Sequence, residues 1–181
     1  ARIGSSGATI WSKPFSGGGN SQAWAVVPLL DGFVVGGSTQ AKVGNKDDFW
    51  LLRTDLKGNL VWEKTYGGAG QDFARSLVIV PNGFALMGSS SPLSFNTGAR
   101  DLVVRTDMAG VLLWQTHYDN KGHPGFTKLT AVAGGLVMGG TTYWQSGKKD
   151  SQFRVTRIDA NGVVVWEEEY GGYTSDTLMD L

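Results

Sequence analysis

The chain has 181 residues and a formal net charge of zero, because 16 Lys and Arg balance 16 Asp and Glu. Neutrality without a basic run removes the electrostatic basis for binding nucleic acid or an anionic membrane surface. The chain has no Cys, so disulfides, thiolate metal sites and a cysteine nucleophile are excluded.

Four tryptophans mark an internal repeat of about 52 residues. Trp11, Trp62, Trp114 and Trp166 lie 51, 52 and 52 residues apart. Other residue types recur at fixed offsets from each Trp: Arg nine positions before (Arg2, Arg53, Arg105, Arg157), Asp seven before (Asp55, Asp107, Asp159, with Gly4 in the first copy), Gly four before (Gly7, Gly58, Gly110, Gly162) and an aromatic four after (Phe15, Tyr66, Tyr118, Tyr170). These coincidences at one period predict a tandem array of one structural unit.

The first complete copy reads as four short strands. The first runs from about Ala23 to Leu29, and the second, "FVVGGST", is Gly-rich, as expected where a strand approaches a neighbouring backbone. The third, "DFWLLRTD", is almost continuously apolar, which predicts that both of its faces are covered. The segment "DLKG" predicts a tight turn in which Asp accepts from the backbone and Gly takes positive φ. The fourth strand, "NLVWEKTY", alternates between apolar and polar residues.

We therefore predict an all-β fold of β-propeller blades, each made of four antiparallel strands, with a β-sandwich or a β-solenoid as alternatives. The predicted divisions are the outer strands of a cut blade (1–19), three complete blades (20–68, 69–120 and 121–172) and the first strand of a further blade (173–181). Propellers have about 4–8 blades, so three cannot close a ring. We expect the chain to complete a ring with the rest of a longer chain or with a second copy, the alternative being closure of the terminal pieces within one chain.

The segment "DDFWLLRTDLKGNLVWEKTYGGAGQDFARSLVIVPNGFALMGSS" resembles the β-propeller repeat of many large secreted or surface proteins of bacteria. A blade of that family reads approximately D-A-F-V-V-K-L-D-x-x-G-x-x-x-W-x-x-x-Y-G-G, followed by an apolar strand and a Gly-containing strand. The resemblance covers essentially the whole chain and implies a propeller at an extracellular or cell-surface location. It implies no single function, because members of the family carry many roles. The first Asp of the pattern matches Asp48, whereas Arg100 and Gln152 hold the aligned positions.

Residues that differ between the copies are the candidate binding residues, because residues shared by every copy serve packing and turning. Tyr143 and Trp144 lie in the long polar connection "TTYWQSGKKD", where an exposed aromatic stacks on a sugar ring or anchors a protein partner. The alternative is that both side chains fold back over the edge of the sheet. Trp24 and Trp50 are also copy-specific, and we expect partial burial for Trp50.

His117 and His123 form the second candidate binding segment, "THYDNKGHPG", with Asp119 between them. His and Asp are suitable metal ligands, but a third strong ligand is not evident, and two surface-loop histidines are the alternative. No metal site is therefore predicted.

The sequence contains no evident catalytic constellation. The Gly-rich segments "SGGGNS" and "YGGAGQ" precede strands rather than helices, which indicates connections between blades and not phosphate loops. No Ser stands in a "GxSxG" context, and the "DLKG" turn lacks the alternating ligands of an EF-hand. No cofactor is expected, with calcium held by several blade loops as the open alternative.

We expect a non-catalytic interaction module that binds protein or glycan through its inter-strand loops, without a nucleic-acid partner and without membrane insertion. Two alternatives stay open. One is a glycan-active enzyme whose acidic residues converge at the propeller axis, and the other is a purely structural scaffold component. The positions of Asp and Glu side chains from different copies discriminate the enzyme from the binding module.

Overall fold

The computed structural model describes residues 1–40, 46–91, 100–119, 125–142, 152–171, 178 and 180. Regular secondary structure in these residues is entirely β. The strands are β1 (Arg2–Ile3), β2 (Thr9–Trp11), β3 (Ser21–Leu29), β4 (Gly32–Gln40), β5 (Asp47–Asp55), β6 (Leu60–Tyr66), β7 (Gln71–Val80), β8 (Gly83–Ser91), β9 (Arg100–Asp107), β10 (Leu112–Asp119), β11 (Phe126–Val132), β12 (Gly135–Thr142), β13 (Gln152–Asp159) and β14 (Val164–Tyr170). In this part of the chain, no helix is long and apolar enough to cross a membrane.

The strands form three four-stranded antiparallel sheets and one two-stranded hairpin. The first sheet has the order β3-β4-β5-β6, the second β7-β8-β9-β10 and the third β11-β12-β13-β14, and β1 pairs with β2. Each strand pairs with its neighbour in sequence, so every sheet is a simple meander. The prediction of an all-β fold with four-stranded antiparallel sheets is confirmed.

The repeated Asp and Gly build the turn between the third and fourth strands of each sheet. Oδ1 of Asp55 accepts the backbone N–H groups of Lys57 and Asn59, both at 2.8 Å. Gly58 lies at φ +73°, in the left-handed region that a residue with a Cβ enters only at a cost. The equivalent turns of the second and third sheets have the same two hydrogen bonds. The Asp-x-x-Gly signature is therefore a turn element.

Apolar side chains fill the two interfaces between the sheets. The interface of the first and second sheets buries Val34, Phe49, Leu51, Tyr66, Ala74, Leu77, Phe84, Leu86, Leu102 and Val104. The interface of the second and third sheets buries Val80, Ala85, Met87, Val103, Tyr118, Phe126, Leu129, Leu136, Met138 and Ile158. The second sheet is covered on both faces, which explains its continuously apolar third strand.

The repeated Trp and Tyr hold the turn of the following sheet, an arrangement we call the clamp. In the first sheet, the Trp62 ring lies 6.3 Å from the Phe84 ring, and a Cβ added to Gly110 would lie only 3.0 Å from Trp62. The hydroxyl of Tyr66 donates to the Gly110 carbonyl oxygen at 2.7 Å. The clamp therefore joins the fourth strand of one sheet to the third-to-fourth turn of the next.

The clamp recurs at the other interface. Trp114 Nε1 donates to the Ala160 carbonyl at 2.9 Å, and Tyr118 donates to the Gly162 carbonyl at 2.6 Å. A Cβ on Gly162 would lie 3.1 Å from Trp114. Trp62 packs in the same place, although its Nε1 has no hydrogen-bond partner among the described residues. Burying a large apolar side chain of this kind contributes about 1.5–3 kcal/mol.

The β1–β2 hairpin packs on the first sheet in the same manner. Trp11 Nε1 and the Arg2 guanidinium both donate to the Leu56 carbonyl at 3.0 Å. The Trp11 ring meets Phe33 edge-on at 6.3 Å, and a Cβ on Gly58 would lie 2.9 Å from it. The hairpin therefore stands where the third and fourth strands of a preceding sheet would stand.

Candidate functional site

The meander topology gives each sheet two different ends. At the turn end, tight turns join the first strand to the second and the third to the fourth. At the loop end, the second strand leads to the third, and the fourth leads to the next sheet. The repeated Asp and Gly lie at the turn end, and the copies differ most at the loop end. A binding site that is specific to this chain is therefore to be sought towards the loop end.

The first strand of each sheet carries a β-bulge at the same place. The register shifts between Ala23 and Ala25 in β3, between Ala74 and Ser76 in β7, and between Phe126 and Lys128 in β11. The inserted residues without a partner opposite are Trp24, Arg75 and Thr127, which we call the bulge row. Bulges re-aim side chains and are common next to binding sites.

The bulge row carries three different functional groups. Trp24 is 62% exposed, an unusual state for an indole. Arg75 is exposed, and no acidic side chain of the described residues pairs with it. Thr127 is half-buried, and its Oγ1 is buried without a hydrogen-bond partner among these residues. The row thus exposes an aromatic face and a cation, whereas its third member places its hydroxyl oxygen inside the protein.

Contacts between the sheets bring the bulges side by side. The Leu129 N–H, just past the bulge in β11, donates to Ser76 Oγ of β7 at 3.2 Å. The Ala74 N–H, at the bulge in β7, donates to Ser38 Oγ of the first sheet at 2.9 Å. Ser38 lies on β4, and β7 also contacts β3 directly as well as β11, so the bulge row runs across three neighbouring first strands.

Two carboxylates flank the connection from the first to the second sheet. Asp72 is fully buried, and its Oδ2 accepts the Gly68 N–H at 2.8 Å. A Cβ on Gly67 would overlap Asp72 Oδ2 and lie 2.8 Å from Asp48 Oδ1, so this position excludes a side chain. Burial, and then repulsion from Asp72 and Asp47, raises the pKa of Asp48 above its ordinary value.

The second and third sheets are tied together at their loop ends. Asp101, which is fully buried, accepts the Phe126 N–H at 2.9 Å. The Arg154 guanidinium lies 4.5 Å from the centre of the Phe126 ring and 3.6 Å from a Glu167 oxygen. Arg154 is 2% exposed, and Trp50, at the aligned position of the first sheet, is 3% exposed. These groups are fixed by one another, which suits a structural role. Trp50, for which partial burial is expected, is almost completely buried.

Among the histidines and aromatics predicted to bind a ligand, His117 is described. It is exposed on β10, and its Nε2 lies 3.2 Å from the Oγ of Ser90, which is buried. A catalytic triad also needs a carboxylate on the other ring nitrogen, but Asp119 pairs with Arg100 at 3.2 Å. His123, Tyr143 and Trp144 lie outside the described residues. Within the described ranges, no group of three or more His, Asp or Glu is placed to hold a metal ion.

Sequence reasoning singled out Trp24 but missed Arg75 and Thr127. The three residues align at spacings of 51 and 52 in the sequence. A bulge, however, is seen only when the pairing of the strands is known. The available signal was the repeated Gly of the second strand. Gly37, for example, pairs with Ala23 at the bulge, where an added Cβ would overlap the carbonyl of Gln22.

No model of a known protein family matches the chain. No curated protein is significantly similar to it in sequence. Its function is therefore inferred from its own residues.

Proposed function

We propose that the chain is a segment of a β-propeller and acts as a non-catalytic, secreted or surface-exposed module that binds an acidic glycan. Three observations support the propeller. Successive four-stranded antiparallel sheets pack face to face, the same clamp joins each pair, and the first strands of consecutive sheets are neighbours. Radial repetition is the arrangement in which such sheets cover one another's faces.

The bulge row carries the proposal of a glycan ligand. The exposed Trp24 indole offers a flat apolar surface for the C–H face of a sugar ring. Arg75 has five N–H donors in a planar fork, which matches a carboxylate in two-point contact. An exposed aromatic and an exposed cation on adjacent strands fit a saccharide that contains uronic acid.

The placement of the acidic groups favours binding over catalysis. Asp48 and Asp72 come from different sheets, but they lie at the connection between sheets and not in the bulge row. Asp72 is engaged by the backbone of that connection, and Glu167 lies beside Arg154. Each of these carboxylates has a structural partner or neighbour that accounts for its position.

A glycan array with matched neutral and uronic-acid oligosaccharides tests the proposal. Trp24→Ala should weaken binding about tenfold, because stacking of a sugar ring on an aromatic contributes about 1.4 kcal/mol. Arg75→Gln should abolish the preference for acidic over neutral ligands. The control is Lys57→Ala, which changes an exposed residue of a turn end and should leave binding intact.

Absence of glycan binding, or binding unchanged by Trp24→Ala, would contradict the proposal. Binding of a protein ligand through the same residues would show that the module binds protein instead of glycan.

A further inference from the structure

A cleft of about 330 Å³ lies between the second and third sheets at their turn ends, beside the Trp114 ring. Every residue that lines it belongs to these two sheets or their tight turns, so no other repeat is needed to form it. Val80, Val132 and Leu136 are part of its apolar wall. An apolar cavity of about 150 Å³ is large enough to hold benzene. This space, which we call the Trp114 cleft, therefore has room for a single aromatic ring.

The third sheet lacks a phenylalanine that the other two sheets have at this place. The residue after the first Gly of the second strand is, in sheet order, Phe33, Phe84 and Leu136. The Phe84 ring lies 6.3 Å from the Trp62 ring, a separation typical of favourable aromatic pairs, and Phe33 lies at the same distance from Trp11. Among the described residues, no aromatic ring pairs with Trp114. The Trp114 cleft is thus bordered by an indole without its usual aromatic partner.

The cleft also has a cation in its wall, the side chain of Arg105. The Arg105 guanidinium donates to the carbonyl oxygens of Pro81 and Thr106, which hold it in place. The indole is held as well, because Trp114 Nε1 donates to the Ala160 carbonyl at 2.9 Å. Indole rings attract other aromatic rings, and a guanidinium attracts them through stacking and cation–π contact. Two fixed groups of the wall therefore favour an aromatic ligand over an aliphatic one of the same size.

The polar groups of the cleft favour a ligand without net charge. Asp159 lines the cleft together with Arg105, so one negative and one positive side chain border it. Oδ1 of Asp159 accepts the N–H groups of Asn161 at 2.9 Å and Val163 at 2.8 Å, which fixes the carboxylate in its turn. Asn161 is exposed and also lines the cleft, where an amide can bind a hydroxyl group.

We propose that the Trp114 cleft is a second binding site, which takes an uncharged single-ring aromatic molecule of the size of phenol. The ring of the ligand stands beside Trp114 as Phe84 stands beside Trp62. This site lies at the turn end of the sheets, whereas the bulge row lies towards the loop end. It does not depend on the proposed binding of glycan.

Titration with phenol, followed through the indole signals of a ¹⁵N–¹H NMR spectrum, tests the site. The Trp114 signal, assigned through Trp114→Phe, should shift and saturate with a dissociation constant of about 1 mM or below, as expected for a ligand of this size. The Trp62 signal is the internal control and should stay in place, because Phe84 already stands beside that ring. Cyclohexanol has a similar size and the same hydroxyl but no aromatic face, and it should bind at least about tenfold more weakly.

A pair of matched variants tests the position of the ligand. Leu136→Phe places a ring beside Trp114, as the second sheet has beside Trp62, and should weaken phenol binding at least about tenfold. Leu30→Phe makes the same change at a fully exposed side chain away from the cleft and should leave binding unchanged. The other indole signals show whether Leu136→Phe keeps the native fold, since Leu136 is 3% exposed.

The titration of the unchanged protein decides the proposal even where a larger side chain at position 136 prevents folding. A Trp114 signal that does not shift saturably with millimolar phenol would overturn the proposal, and so would equal affinity for cyclohexanol. Unchanged phenol binding in a folded Leu136→Phe variant would overturn it as well. Failure here is distinguishable from failure of glycan binding, because that binding is measured with a different ligand and depends on Trp24.

Discussion

The hydroxyl of Tyr118 donates to the Gly162 carbonyl at 2.6 Å, and the side chain is 9% exposed. Burial raises the pKa of Tyr118 to about 12, and for the same reason the pKa of Tyr66 rises still further. Both phenols stay protonated and act as donors at neutral pH. This contact explains why a Tyr recurs four residues after the Trp. The sequence alone associates this Tyr only with packing.

Tyr118→Phe should lower the free energy of unfolding by about 1 kcal/mol, because the Gly162 carbonyl loses its buried partner. Tyr170→Phe should leave it unchanged, since Tyr170 is 47% exposed. Urea unfolding of the two variants measures the difference. An equal loss in both would contradict the assignment of the hydroxyl to the clamp.

The raised pKa of Asp48 predicts a dependence of stability on pH. A raised carboxyl pKa favours folding below the ordinary Asp value of about 3.9, and this contribution is lost as pH rises through the raised pKa. Asp48→Asn should therefore raise the melting temperature at pH 7, with a gain that shrinks towards pH 3.

Asp55→Asn is the matched control with the opposite sign. Hydrogen bonds from Asn59 lower the pKa of Asp55, so its contribution is present above the ordinary pKa and lost as pH falls. This variant should melt below the wild type at pH 7 and converge with it in acid. A lower melting temperature for Asp48→Asn at pH 7 would refute the unfavourable burial and repulsion of the Asp48 carboxylate.

At the scale of the elements, the sequence predicted most of the sheet correctly. The expected first strand, Ala23 to Leu29, is observed as Ser21–Leu29, and the expected fourth strand as Leu60–Tyr66. The apolar alternation and the Asp-x-x-Gly turns are sufficient to predict these strands, because both patterns depend on residues only a few positions apart in the sequence. The Gly-rich second strand predicts a close approach of backbones, and Gly37 at the bulge has that contact.

Features that depend on packing between sheets were not predictable. The proximity of Asp48 and Asp72 joins residues of two sheets across Gly67. The bulge row requires the pairing register of three separate first strands. The clamp forms only where the Trp and Tyr of one sheet contact the third-to-fourth turn of the next sheet. A single sequence with a repeat fixes the period of these contacts but not the atoms that make them.

At the scale of the whole molecule, the shared and the divergent residues have separate tasks. The clamp and the turn repeat at each interface and hold the sheets together. The bulge row differs in each sheet and exposes an aromatic and a cation on adjacent strands. The candidate site is thus partly foreseen, through Trp24, and partly revealed by the register, through Arg75 and Thr127, whereas His117 lies outside it on β10.

The indole N–H signals of the 7 tryptophans in a ¹⁵N–¹H NMR spectrum test this division most directly. On titration with a uronic-acid oligosaccharide, the Trp24 signal, assigned through Trp24→Phe, should shift. The signals of Trp62 and Trp114 in the clamps should stay in place. Shifts confined to the clamp tryptophans, or no shift of Trp24 with a ligand that binds, would contradict the assignment of binding to the bulge row.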